Sequence, residues 1–323
     1  MSSTYLKFLS RNKLYTFIEI FGLSVALGFV ILLASYAKTE FSVGAKQPLS
    51  KQLYVVGAGN FFGMTLGTSE EFFPSVPEIK GWTRISEGGT ADIMVGDDYY
   101  QAAETSIDTN FFRFFDYRLI GCPKDKVLEN EDEVILSESF AKKVFGKEDP
   151  IGRTLSSGKD VLTVVGVIED FGPVDVFNHY DLFTSIKRAQ KRYAWMDNFG
   201  NTVPIVLLED GSDVEKVREE LLNKYMGYWD YYKADNSNNA FLWGSSVTRL
   251  DKVYFSELDA YACLRAGNRK PVDLLFIVAL VLLVSAIFNY INLTVAQTGK
   301  RAKEMATRRL LGESSRNIVT RYI

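Results

Sequence analysis

The chain has 323 residues, of which 47% are hydrophobic and 24% charged, with a formal net charge of −3. Two cysteines are too few for a disulfide framework, and the single histidine, His179, leaves any zinc site dependent on carboxylates or isolated thiols. The near-neutral average conceals a partition along the chain, and that partition decides the class.

Residues 20–37 give eighteen positions without a charge, and residues 274–296 give twenty-three. Runs this long and apolar predict transmembrane helices. At 1.5 Å per residue they reach about 27 Å and about 35 Å, against a hydrocarbon core of about 30 Å. Thr16, Phe17 and Ile18 complete the shorter one, so the expected spans are 16–37 and 274–296. Lys7, Arg11 and Lys13 precede the first span, and Lys300, Arg301, Lys303, Arg308, Arg309, Arg316 and Arg321 follow the second. The positive-inside rule then assigns residues 1–15 and 297–323 to the cytoplasm. Between the spans, residues 38–273 hold 27 Lys and Arg against 37 Asp and Glu, the balance of an acidic soluble domain kept on the other side. A cleaved signal peptide ending at Ser35-Tyr36-Ala37 is the rival reading of the N-terminus, but its apolar region exceeds the usual length of about 7–15 residues.

The external segment alternates strand-like runs with short helices. Strands are predicted over 52–56, 79–86, 91–95 and 99–107, divided by glycine turns at Gly88-Gly89 and Gly96-Asp97-Asp98. Asp108 is expected to cap a short helix that buries Phe111, Phe114 and Phe115. A second unit begins near Glu131, with a strand over 134–136 and Ser137 as N-cap. Phe140, Ala141 and Val144 form the buried stripe of its helix, and Gly146 ends it ahead of Pro150. Strands over 151–155 and 161–168 follow, then a strand over 203–208, a helix over 213–225 and a strand over 246–250. The mixture is α+β, read as two lobes with residues 119–200 inserted into the other. Cys122 and Cys263 both fall in this segment, where a disulfide is permitted; partly buried thiols are the plainer expectation and the pairing stays open.

Three stretches together carry a resemblance. The first is Asn12-Lys13-Leu14-Tyr15-Thr16-Phe17-Ile18-Glu19 entering the first span. The second runs from Asn110-Phe111-Phe112-Arg113-Phe114-Phe115-Asp116 through Leu136-Ser137-Glu138-Ser139-Phe140-Ala141 and Asp149-Pro150-Ile151-Gly152-Arg153 to Val164-Val165-Gly166-Val167-Ile168-Glu169-Asp170. The third is Phe288-Asn289-Tyr290-Ile291-Asn292-Leu293 followed by Arg301-Ala302-Lys303-Glu304-Met305-Ala306-Thr307-Arg308-Arg309-Leu310-Leu311-Gly312. In this order they resemble the FtsX/MacB-type ABC transporter permeases, with a MacB-like periplasmic core domain. The resemblance implies a multi-pass protein of the bacterial inner membrane, N-terminus cytoplasmic, acting as a homodimer or pseudo-dimer on an ABC ATPase subunit. It implies mechanotransmission of ATP-driven motion to the periplasmic domain, for efflux or for extraction of a substrate. A periplasmic adaptor and an outer-membrane duct are further partners in part of the family. Family members have at least four spans, so a chain stopping at Ile323 is expected to be the N-terminal portion of a longer permease.

Residues 300–311, if helical, put Ala302, Met305, Ala306 and Leu310 on one face and Arg301 and Arg308 on the other, with Glu304 one turn from Arg308. Gly312 ends that helix. On charge alone such a segment anchors to anionic lipid. With the resemblance, Arg301, Glu304, Met305, Arg308, Arg309, Leu310 and Gly312 become the expected ATPase-coupling residues. The chain carries no P-loop: Gly299-Lys300 is followed by Arg301 and has Thr294 in the place of the first glycine. ATP is therefore expected on the partner, and no enzyme activity, cofactor or nucleic-acid partner is expected of this chain. Asn289 and Asn292 share a face at i,i+3 and are expected to pack the second span against a neighbouring helix. The competing class is a two-span sensor with an external ligand-binding domain.

Overall fold

The computed structural model describes residues 13–58, 61–64, 67–86, 88–192, 202–230, 245–258 and 263–312. They divide into a unit formed by the two ends of the chain and a unit spanning Ser42–Gly267.

The first unit is built from two helices, α1 (Lys13–Phe41) and α8 (Arg269–Leu310). Each contains a segment apolar enough to cross a bilayer, Ile20–Phe41 and Arg269–Asn292, and only 6% and 11% of these windows are buried. A core helix of a soluble protein would be mostly buried, so these side chains require lipid or further protein. What burial exists is periodic. Along residues 20–37 of α1, only Leu23, Ala26, Val30, Leu33 and Ala37 are shielded. Between Val272 and Tyr290 of α8, the shielded positions are Val272, Leu275, Ala279, Leu282, Leu283, Ala286 and Asn289. Steps of three and four residues on both helices describe a coiled-coil seam, with small residues at several contact positions.

Among the described residues, the second unit is one sheet of twelve strands. In chain order these are β1 (Leu53–Ala58), β2 (Phe61–Phe62), β3 (Ile79–Ser86), β4 (Gly89–Val95), β5 (Asp98–Ile107), β6 (Leu119–Ile120), β7 (Glu133–Ser137), β8 (Thr154–Ser157), β9 (Asp160–Ile168), β10 (Leu182–Ser185), β11 (Thr202–Leu208) and β12 (Ser245–Arg249). Six of them close a ring in the order β5-β4-β8-β9-β7-β10, because β10 pairs antiparallel with β7 and parallel with β5. Closure leaves these strands without a free edge. The lobe expected over 119–200 therefore draws two of its strands, β4 and β5, from earlier in the chain. The rest of the sheet runs β3-β11-β1-β12.

The unit also holds two short helices, α5 (Ile186–Arg192) and α7 (Leu250–Val253), and both faces of the sheet are covered. On β11, Val203 and Ile205 enter one core cluster while Val206 and Leu208 enter another, where α6 (Val214–Asp230) contributes Val217, Leu221 and Tyr225. On β7, Ile135 faces the first cluster, whereas Val134 and Leu136 face a third beside Phe140 of α4 (Glu138–Phe145). Helix α4 begins as expected, with the Phe140 N–H donating to Ser137 Oγ at 3.2 Å. It ends at Gly146, whose φ of 63° is the left-handed value that a side chain disfavours.

The first cluster is rich in aromatic rings. Phe111 and Phe115 stack at 4.7 Å, Phe115 meets Phe177 edge-on at 5.0 Å, and Phe171 lies 4.7 Å from Tyr117. The phenylalanines expected in the core are there: Phe111, Phe114 and Phe115 are all buried. Asp108, however, does not cap α3 (Phe111–Phe114). The cap position belongs to Asn110, whose side chain donates instead to the Trp82 carbonyl, and the Asp108 carboxylate is taken by Arg84. The predicted strand over 151–155 is displaced to β8, since Arg153 still lies in the turn that precedes it. Cys122 and Cys263 both remain thiols, the former half-buried and the latter buried.

Candidate functional site

The residues expected to couple to an ATPase lie on the last turns of α8. No break separates the apolar part of this helix from its basic end, so residues 297–310 continue the same rod rather than starting a new helix. Forty-two residues at 1.5 Å each give about 63 Å, roughly twice a hydrocarbon core. Arg309 and Leu310 are exposed there, Leu310 at 88% and the adjacent Leu311 at 82%. The backbone leaves the helix at Gly312, where φ is 88° and the N–H donates to the Arg309 carbonyl at 3.1 Å. Arg301, Glu304, Met305 and Arg308 occupy helical positions on the same rod; their side chains lie outside what the structure describes. A leucine pair on an exposed, arginine-bearing helix end suits an apolar groove with an acidic rim, or a lipid surface.

The two asparagines expected to pack the second span against a neighbouring helix differ in exposure. Asn289 extends the seam of α8 as its next position after Ala286, and is half-buried; Asn292 is exposed. A seam that alternates steps of three and four has taken three to reach Asn289 from Ala286, so the next step takes four and passes Asn292 by.

In the sheet unit, sequence reading missed an ion cluster. Arg84 on β3 is 4% exposed and donates through Nε and Nη2 to both Asp108 oxygens at 2.9 Å. Its Nη2 also lies 3.0 Å from Glu70 of α2 (Thr68–Phe72). Burial opposes the guanidinium charge, and the Asp108 and Glu70 carboxylates overcome it, so its pKa is raised. Glu70 therefore helps hold α2 to the sheet. Asp97 and Asp98 are exposed at the β4–β5 turn, as expected. His179 sits 3.3 Å from Asp181 and is half-exposed. Among the described residues no three metal-binding side chains gather. The sheet unit is thus a closed ring joined to an open sheet.

The profile of the MacB-like periplasmic core domain matches residues 16–224. This chain belongs to that family. The macrolide export ATP-binding/permease protein MacB of Neisseria gonorrhoeae is 23% identical over 235 residues, covering 71% of this chain and 31% of that protein. The protein of the same description from Neisseria meningitidis serogroup A is 22% identical with the same coverage. The chain thus spans about a third of the length of these relatives. Among solved structures, a domain of a putative permease from Porphyromonas gingivalis covers 66% of this chain and 95% of its own, at 22% identity and a TM-score of 0.47. The periplasmic region of MacB from Actinobacillus actinomycetemcomitans covers 63% and 91%, at 15% identity and a TM-score of 0.47. The MacB-like match begins inside α1, so the family's domain is flanked here by two apolar helices, the arrangement of a membrane protein with a periplasmic domain.

Proposed function

We propose that this chain is a permease component of an ABC transporter in a bacterial inner membrane, relaying the ATP-driven motion of a partner ATPase to its periplasmic domain. The observation that carries this reading is the continuity of α8. A single helix of 42 residues joins the MacB-like domain's outgoing chain to an exposed basic end, with no hinge between them. A displacement at Arg301–Gly312 then travels along a rod rather than through a flexible linker. Both termini are cytoplasmic in this account, set by the basic residues that flank the spans. ATP is bound by the partner, which contacts Arg301, Glu304, Met305, Arg308, Arg309, Leu310 and Gly312. The relatives' description as ATP-binding/permease proteins supports an ATPase partner of this class. The permease works as a homodimer or pseudo-dimer, and its substrate is exported or extracted on the periplasmic side, with an adaptor and duct where an outer membrane must be crossed.

Co-expression of the chain, in its full-length permease, with its ATPase tests this. The triple variant Glu304→Ala, Arg308→Ala, Gly312→Ala is expected to insert normally and to lose stimulation of ATP hydrolysis. Unchanged stimulation, or recovery of a kinase module in place of an ATPase, contradicts the reading.

A further inference from the structure

The connection from β9 to β10 has no regular structure, yet the chain entering the sheet unit and the chain leaving it both bond to it. On the incoming side, the Gly44 N–H donates to the Val174 carbonyl at 2.9 Å. Gly44 is buried with φ at 76°, and a Cβ there would stand 2.6 Å from the Leu250 carbonyl oxygen, so only glycine lets the backbone pass. On the outgoing side, the Arg265 N–H donates to the Val176 carbonyl at 2.8 Å and the Asn178 N–H to the Cys263 carbonyl at 3.0 Å. Phe177 and Leu264 form an antiparallel bridge. The Arg265 guanidinium adds bonds to the carbonyls of Pro173 and Asp175, the latter at 3.1 Å.

The connection is itself held in shape from within. Asp175 is 4% exposed, and its carboxylate accepts from the Gly172 N–H at 2.6 Å and from the Tyr117 hydroxyl at 3.2 Å. Burial, and then the Asp175 charge, push the Tyr117 phenol well above its ordinary range, which keeps it a donor. A buried carboxylate is costly unless such bonds fix it. At the β9 end, Asp170 accepts from the Ser139 N–H at 3.2 Å and from the Ser139 hydroxyl at 2.7 Å, at the start of α4. Glu169 exchanges bonds with Arg118: its carboxylate accepts the Arg118 N–H at 2.9 Å, and its own N–H donates to the Arg118 carbonyl at 3.0 Å. Gln47 on the incoming segment accepts from the Asp116 N–H at 2.9 Å, next to Tyr117. One stretch therefore joins the incoming chain, the outgoing chain and two strands of the closed ring.

Covalent distance makes this consequential. Gly44 lies three residues after the end of α1 at Phe41, and Arg265 four residues before the start of α8 at Arg269. Fully extended, three or four residues span only about 10–14 Å. Little slack separates either helix end from its bond to the connection.

We infer that residues 171–178 are a mechanical tie, fastening Gly44 and Arg265 to one another through the β9–β10 connection so that displacements of the two chain ends reach the ring as one movement. The movement itself rests on the transport reading above; the tie does not, and the two are tested separately. In the full chain in lipid nanodiscs, amide hydrogen exchange is compared between the wild type, Arg265→Ala and Arg265→Lys. The tie predicts that Arg265→Ala accelerates exchange at Gly44 by about tenfold or more, while amides of β11 keep their protection. Arg265→Lys, which retains a cationic donor group without the guanidinium fork, gives a smaller acceleration. If only residues 174–176 and 265 exchange faster and Gly44 does not, the tie is overturned. Should Arg265→Ala also release β11, the same comparison of Gly44 with β11 is read in Arg265→Lys.

A second arm places a spin label at exposed Lys159 and compares nucleotide states in the full-length permease with its ATPase. A nucleotide-dependent shift in the wild type that falls at least about fivefold in Arg265→Ala supports the tie as the route of motion. A shift retained in full by Arg265→Ala overturns that route. No shift in the wild type counts against the transport reading alone, and the exchange result then decides the tie.

Discussion

The helix pair and the sheet unit are both rich in apolar side chains, but those side chains do opposite things. In the sheet unit they leave water for a shared core, as Phe111, Phe115, Phe177 and Phe183 do, all nearly inaccessible. In α1 and α8 most remain outside, among them Ile31 at 68%, Leu274 at 61% and Phe288 at 61%. Transfer from water stabilises the first arrangement at about 25 cal/mol per Å². Between two helices in lipid that drive is absent, and contact depends on close packing along the seam. The same composition therefore makes a fold in one region and a membrane surface in the other.

This contrast can be broken at graded cost. The largest effect is expected in the aromatic core, where Phe111→Ala should lower the stability of the sheet unit by about 3–5 kcal/mol in denaturant titration of the full chain. A loss under 1 kcal/mol would mean the ring stack is loosely packed. Next, Asp108→Ala strips Arg84 of its bidentate partner and leaves its buried charge less compensated, for a loss of about 3 kcal/mol by the same titration. Adding Arg84→Met should recover much of it; no recovery would show that Asp108 acts through something other than this pair. In the helix pair, Ala279→Leu overfills the seam and should cost about 1–3 kcal/mol in detergent unfolding, whereas the outward Val281→Leu stays within about 0.5 kcal/mol. Equal effects would deny the seam. Smallest is Ser137→Ala, about 1 kcal/mol from the lost cap of α4, seen as a modest fall in thermal midpoint.

The two regions were legible in the sequence to different depths. The helices announced themselves through uninterrupted apolar runs, but those runs hid the seam, because hydropathy has no phase when nearly every residue is apolar. Only burial distinguishes Leu23 from Leu27. In the sheet unit, β3, β5, β9 and β11 were readable from their length and flanking turns. Strand β10 was not. It has four residues, Leu182–Ser185, all buried, so it shows no alternation, and its Thr184 hydroxyl is satisfied by groups distant in sequence, Ser106 Oγ at 2.8 Å and the Thr105 carbonyl at 3.3 Å. That one short strand closes the ring. Asp108 misled for a related reason: its position suits a helix cap, and a buried arginine 24 residues earlier outbids the backbone for its carboxylate. Asp175 and Arg265 carried no signal at all, since single polar residues in irregular segments acquire meaning only from what they meet in space.

The central claim is that the acidic sheet unit lies across the membrane from the basic end of α8, with one rod between them. Cysteine labelling in intact spheroplasts, in a Cys122→Ser background, tests it most directly with Lys159→Cys in the ring and Ala306→Cys near the end of α8, both exposed positions. A membrane-impermeant maleimide should modify position 159 before permeabilisation and position 306 only afterwards. Labelling in the reverse order, or of both positions before permeabilisation, would contradict the account.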